Sequence, residues 1–104
     1  MAQVQQQRLG IDEIIGDKRA DILRVAESYG VTHVRVFGSV ARGEATLESD
    51  VDFLVTVKDR VSIFELVGLW LDLQDLLGRE VSLVSDETPD GRFMKRVLKD
   101  VVIL

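Results

Sequence analysis

The chain has 104 residues, a net charge of −5 and no cysteine, which excludes disulfide scaffolds, thiol catalysis and zinc–thiolate sites. That length holds one domain, a 46% hydrophobic share suffices for a core, and charges dispersed through the chain argue against disorder. So acidic a chain is a poor partner for bare nucleic acid, whose binders carry a basic field, but a triphosphate held through metal ions is not excluded.

Residues 1–10 are polar and glutamine-rich, and are expected to form a flexible N-terminus ahead of a domain spanning 11–104. They lack the apolar core of a signal peptide, and no charge-free window is long enough to cross a membrane, so a soluble cytoplasmic protein is expected. From Asp12, Ile14, Ile15, Ile22, Val25, Ala26 and Tyr29 recur near helical spacing, with Gly30 as the stop. Val31 to Phe37 is β-branched and aromatic and reads as a strand. Gly38 to Ser49 reads as a loop with a short helical turn after Ser39, followed by a second strand from Val51 to Val57.

Ser62 and Glu65 form a capping-box pattern that opens a helix running to Leu77, where Gly78 ends it. Glu80 to Val84 reads as a third strand. Thr88 with Pro89 predicts the start of a last helix that runs to about Lys99, and Val101 to Leu104 reads as a final edge strand. This order predicts an α/β (α+β) domain with helices packed on one mixed sheet.

The chemistry concentrates between Gly38 and Asp52. Residues two apart on a strand share a face, so Asp50 and Asp52 present paired carboxylates. Like charges so close repel and raise a pKa unless a cation lies between them, and a hard divalent ion such as Mg²⁺ suits oxygen ligands and then holds phosphate. Gly38 lets the backbone approach a ligand closely, and the Ser39 hydroxyl adds a donor beside the amides of the following turn. A phosphate cradle beside a carboxylate pair is what metal-assisted phosphoryl or nucleotidyl transfer requires.

Gly38-Ser39, ten residues, then Asp50-Val51-Asp52 resembles the signature of the DNA polymerase β-like nucleotidyltransferases. The string VRVFGSVARGEATLESDVDFLV from Val34 to Val55 is similar to the minimal nucleotidyltransferases of bacteria and archaea. The resemblance implies a palm-like domain in which Gly38 and Ser39 hold the triphosphate and Asp50 and Asp52 are the catalytic ligands of up to two Mg²⁺ ions. Arg42 matches the arginine of the motif; phosphate contact and an ion pair with Glu44, Glu48 or Asp50 are both open to it. The resemblance further implies AMP transfer from ATP to a partner protein, with the chain as antitoxin to a helical HEPN-domain ribonuclease toxin, in a homo- or hetero-oligomer.

One position departs from the pattern. The family places a third carboxylate in a Gly-Arg-x-Val-Asp-Leu string; here it reads Gly78-Arg79-Glu80-Val81-Ser82-Leu83. Ser82 is a poor metal ligand and a weak base. Glu80 lies on the same strand face, displaced by about 6–7 Å, and could substitute, ahead of Asp86. A catalytically impaired antitoxin that neutralises its partner by binding alone is therefore the alternative function.

Apolar residues between Val61 and Leu77 exceed what one core face needs. Phe64, Val67, Trp70 and Leu71 are accordingly expected at a partner interface. His33 reads as an ordinary strand residue. Arg92, Lys95, Arg96 and Lys99 read as a solvated helix face, with Arg92 or Lys95 as the residues able to reach a nucleotide.

Overall fold

The computed structural model describes residues 8–57, 61–87 and 91–104. Helix α1 (Ile11–Ile14) opens where Glu13 Oε1 accepts from the Gly10 amide at 2.7 Å. Gly16 then takes φ +51°, a left-handed conformation that ends α1. A 3-10 turn (Gly16–Lys18) leads into α2 (Arg19–Ser28). The single helix expected from Asp12 to Tyr29 is thus broken in two. Apolar spacing correctly picked the inward side chains, since Ile14, Ile15, Ile22 and Ala26 are buried, but the break follows from Gly16. Leu9 exchanges both backbone hydrogen bonds with Ala45, at 2.7 and 3.0 Å, so the folded part takes in residues ahead of position 11. Residues 1–7 of the expected flexible segment lie outside the described residues.

Strand β1 (Val31–Phe37) pairs antiparallel with β2 (Val51–Val57) on one side and with β4 (Val102–Ile103) on the other. β3 (Val81–Ser85) runs parallel to β2, giving the order β3-β2-β1-β4. A parallel pair needs a crossover, and α4 (Ile63–Leu77) supplies it. The Ser62 hydroxyl accepts from the Glu65 amide at 3.3 Å, and Gly78 closes the helix in the left-handed region, as the sequence signals indicate. The expected start of the last helix at Thr88-Pro89 lies outside the described residues; α5 spans Gly91–Lys99.

The two sheet faces do different work. Val34, Val36, Phe53 and Val55 meet Ile22 and Ala26 of α2 and Leu69 and Leu73 of α4 in the main core. Burial of each large side chain there is worth about 1.5–3 kcal/mol. Alternation turns Arg35, Phe37, Asp52 and Leu54 to the opposite face. There α5 lays Phe93 edge-on against Phe37, ring centres 6.3 Å apart, and buries Val97. Leu69, Leu73 and Leu77 are the buried stripe of α4, whereas Ile63, Phe64, Val67 and Leu71 stay exposed, Phe64 at 83%. Among the described residues no helix is long and apolar enough to cross a membrane.

Candidate active site

The site forms where β1 turns back toward β2. Phe37 pairs with Asp52 across the antiparallel ladder, so the residue after Phe37 must pass the Asp52 side chain. Gly38 does so with φ +74°, and a β-carbon there would sit 2.2 Å from Asp52 Oδ2. Only glycine satisfies both the backbone angle and the contact. The chain then enters the short helix α3 (Gly38–Ala41), as expected after Gly38-Ser39. The first amides of such a turn lack intrahelical acceptors. The half-buried Ser39 has a hydroxyl without a partner among the described residues.

The loop from Arg42 to Asp50 is held at several points. The Glu44 amide bonds to the Ser39 carbonyl at 2.9 Å, and Ser49 Oγ accepts from the Thr46 amide at 2.8 Å. Arg79, in the turn between α4 and β3, donates to the Ser49 carbonyl at 3.2 Å and to the Thr46 carbonyl at 3.4 Å. It thereby fixes the backbone immediately before Asp50. Sequence reasoning missed this role, because its only signal was the position of Arg79 in the Gly-Arg-x-Val string.

Asp50 is exposed and Asp52 is half-buried at the start of β2. The Asp52 carboxyl is pushed above its usual range, chiefly by burial and next by the charge of Asp50, while Arg42 pulls it back down. The carboxylates therefore feel each other, and a cation would relieve that repulsion. Two carboxylates of this kind suit a hard divalent ion that keeps further oxygen ligands from phosphate or water. Among the described residues no group of three or more His, Cys, Asp or Glu could hold a metal.

The other acidic candidates lie elsewhere. Ser82 pairs with Asp52 across the parallel ladder, in the place where the sequence comparison expected the third carboxylate. Glu80 precedes β3, level with Asp50, and is exposed; its carbonyl accepts from the Val51 amide at 3.1 Å. Asp86 lies four strand positions beyond Ser82, about 13 Å away at the usual rise. There it pairs with Arg35 at 3.0 Å and accepts from the Thr56 hydroxyl at 2.6 Å.

Arg42 makes the expected ion pair with Glu44 at 3.7 Å and a shorter, unexpected one with Asp100 at 3.2 Å. Both are partly solvated, so each is weak. A cavity of about 190 Å³ opens between them and α5, bounded by Phe37, Gly38, Arg42, Phe93, Arg96 and Asp100. Arg92 and Lys95, the α5 residues that the sequence offered to a nucleotide, are exposed and outside that lining, which takes in Arg96. His33 is exposed near the far end of β1, in contact with Thr32 at 3.1 Å.

Between α4 and β3, Ile63, Leu66, Val67 and Trp70 line a groove of about 300 Å³ that also takes in Ser82. Trp70 is half-buried, and its indole N–H donates to the Val81 carbonyl at 2.6 Å. Phe64 and Leu71 project to solvent.

Comparison with known proteins shows the family and the fold. Residues 20–104 match the family model described as polymerase beta, nucleotidyltransferase. The chain is 37% identical over 94 residues to the protein adenylyltransferase MntA of Thermococcus cleftensis, which covers 90% of this chain and 95% of the relative. A solved structure assigned as a minimal nucleotidyltransferase superposes with a TM-score of 0.79 at 37% identity, over 88% of this chain and 94% of that one. The fold also recurs, with a TM-score of 0.62 at 17% identity, in the structure of a tri-AMPylated HEPN toxin with its MNT antitoxin from Shewanella oneidensis, over 81% of this chain and 66% of that one.

Proposed function

This chain belongs to the polymerase beta nucleotidyltransferase family, and on that premise we propose that it transfers AMP from ATP to a partner protein, as the antitoxin of a HEPN-domain toxin. The observation that carries the reading is the contact of Gly38 with Asp52, which merges the phosphate turn and the carboxylates into one site. Asp50 and Asp52 would hold Mg²⁺, one or two ions, which neutralises phosphate charge and polarises the α-phosphorus. Gly38, Ser39 and Arg42 bind and orient the triphosphate. An acceptor hydroxyl oxygen bonds to the α-phosphorus, the bond to the β-phosphate oxygen breaks, pyrophosphate leaves, and the hydroxyl proton passes to solvent.

The names of the similar proteins support an acceptor that is a protein, and the Shewanella oneidensis complex supports a HEPN toxin. The exposed face of α4 offers a place for it, with Phe64, Val67 and Leu71 outermost and Trp70 beneath. The test is incubation with α-labelled ATP, Mg²⁺ and the HEPN-domain partner. Label on the partner, lost in Asp50→Ala and Asp52→Ala, is the expected result. No label with the intact chain would overturn the transferase reading.

A second reading is favoured by Ser82, which stands beside Asp52 without a carboxylate. On it, the chain binds nucleotide but neutralises the partner by docking alone. Neutralisation that survives both aspartate substitutions, with no label transferred, distinguishes it.

A further inference from the structure

β3 is an edge of the sheet, and its free side is only partly closed. The Glu80 carbonyl accepts from the Val51 amide at 3.1 Å, and the Asp86 amide donates to the Val55 carbonyl at 3.0 Å. In a parallel ladder alternate residues bond to the same neighbour, so residues 80, 82, 84 and 86 turn their backbone groups to β2. Val81, Leu83 and Ser85 therefore turn theirs outward. At Val81 both groups are taken: the Gln74 side-chain oxygen accepts from its amide at 3.3 Å, and the Trp70 indole donates to its carbonyl at 2.6 Å. At Leu83 no described residue fills either position. The open amide and carbonyl border the groove lined by Ile63, Leu66, Val67 and Trp70, so backbone hydrogen-bonding capacity and apolar surface lie side by side. An extended peptide needs that combination to add itself to a sheet.

We propose that a partner protein docks here by strand addition. An extended segment of it lays its backbone along Leu83 and sets alternate apolar side chains into the groove, with basic residues at its ends. On the reading that the acceptor is a protein, this is how the chain holds it. The surroundings set the charge: the stretch from Val61 to Leu77 has no Lys or Arg but carries Glu65, Asp72 and Asp75, and Glu80 and Glu87 are exposed at the two ends of the edge. The same features disfavour a second copy of this chain. Antiparallel pairing of two copies centred on Leu83 would need the Val81 groups that Trp70 and Gln74 already occupy, and would set Glu80 of one copy level with Asp86 of the other. The edge also leads to the active site, since Ser82, level with Asp52 on β2, contributes to the groove. A strand added to β3 lies two strand spacings from β2, about 10 Å, which keeps the docked segment beside the carboxylates.

Amide hydrogen exchange of the intact chain, with and without the HEPN-domain partner, tests the proposal. Exchange at Leu83 should slow by about tenfold or more when the partner is bound, while exchange at Val81, already bonded to Gln74, changes little. Val67→Arg puts bulk and a cation into the groove at an exposed helix position. It should weaken partner binding by about tenfold or more while Tm and ATP–Mg²⁺ affinity stay unchanged. Leu83→Pro removes the outward amide, a change that an edge strand accommodates, and should weaken partner binding measured below its Tm. A short synthetic peptide of alternating valine and threonine with lysine at both ends should slow Leu83 exchange by itself, and its glutamate-ended counterpart should not. Partner binding with Leu83 exchange unchanged overturns the docking, and so does full partner affinity in Val67→Arg. Leu83 protection that grows with chain concentration in the absence of partner assigns the edge to a second copy and also overturns it. If the partner does not bind the wild-type chain, the toxin-partner reading fails by itself, and the lysine-ended peptide then decides the edge: protection of Leu83 supports it as a docking site, and no protection overturns it.

Discussion

Asp52 and Ser82 are partners across the parallel β2–β3 ladder, so a side chain at position 82 shares a row with the more buried of the two carboxylates. Ser82→Asp should therefore supply a third oxygen ligand where the ladder already points one. Transfer of labelled AMP should rise by about tenfold or more, with tighter Mg²⁺ dependence. Without divalent ions the same variant should melt at a lower temperature, because three carboxylates then share one place. An unchanged rate with a lowered Tm would mean that the row is not the catalytic one.

Gly38 cannot carry a side chain. Its φ of +74° is in the left-handed region, and a β-carbon would collide with Asp52 Oδ2. Gly38→Ala should cost about 1–3 kcal/mol of stability through backbone strain. In a domain of this size that lowers Tm by about 5 °C or more. ATP binding, measured by calorimetry below the new Tm, should fall below detection, whereas Gly43→Ala, whose β-carbon would meet nothing within 4 Å, should retain it.

Asp52 also sets a pH dependence. Burial first, and Asp50 second, raise its carboxyl above the ordinary 3.8, so the folded chain holds that proton more tightly than the unfolded one. This group therefore favours folding below pH 3.8 and opposes it once the pH has risen past the raised folded value. Asp52→Asn should consequently raise the Tm of the metal-free chain at pH 7. Partial solvation limits the gain to about 1–3 °C. Thermal scans should find the difference shrinking as pH falls through that window, and Mg²⁺ should stabilise only the wild-type chain.

Asp52 and Ser82 were legible in the sequence, the first from the fixed Gly-Ser to Asp-x-Asp spacing and the second from the resemblance of residues 78–83 to the family string. The register that sets Phe37 opposite Asp52 was not, because it depends on how two strands pair. The excess of apolar residues on α4 was legible too. The roles of Arg79 and Asp100 were not, since each acts on a partner brought close by the fold: Arg79 holds Ser49 across 30 residues, and Asp100 meets Arg42 across 58. Charge runs on a helix look alike whether they face solvent or a cavity, which is why Arg96 was indistinguishable from Arg92 and Lys95. The break at Gly16 was hidden for another reason: apolar spacing continues through it, and the inward residues stay inward on both sides.

On α4, neighbouring side chains should separate docking from folding. Phe64 is 83% exposed, and the described structure gives its ring no packing role, so Phe64→Ser should leave Tm within about 1 °C. If this face meets the partner, the same change removes a large apolar contact from the interface and should weaken partner binding by tenfold or more. Trp70→Phe should behave in the opposite way. Its indole N–H holds the Val81 carbonyl, so the loss leaves that acceptor without its side-chain donor and costs about 1–2 kcal/mol of stability. Partner affinity, measured below the lowered Tm, should change less than for Phe64→Ser. Paired thermal scans and surface-binding measurements on the two variants check both expectations. Equal partner binding by Phe64→Ser and the wild-type chain would move the docking site off α4.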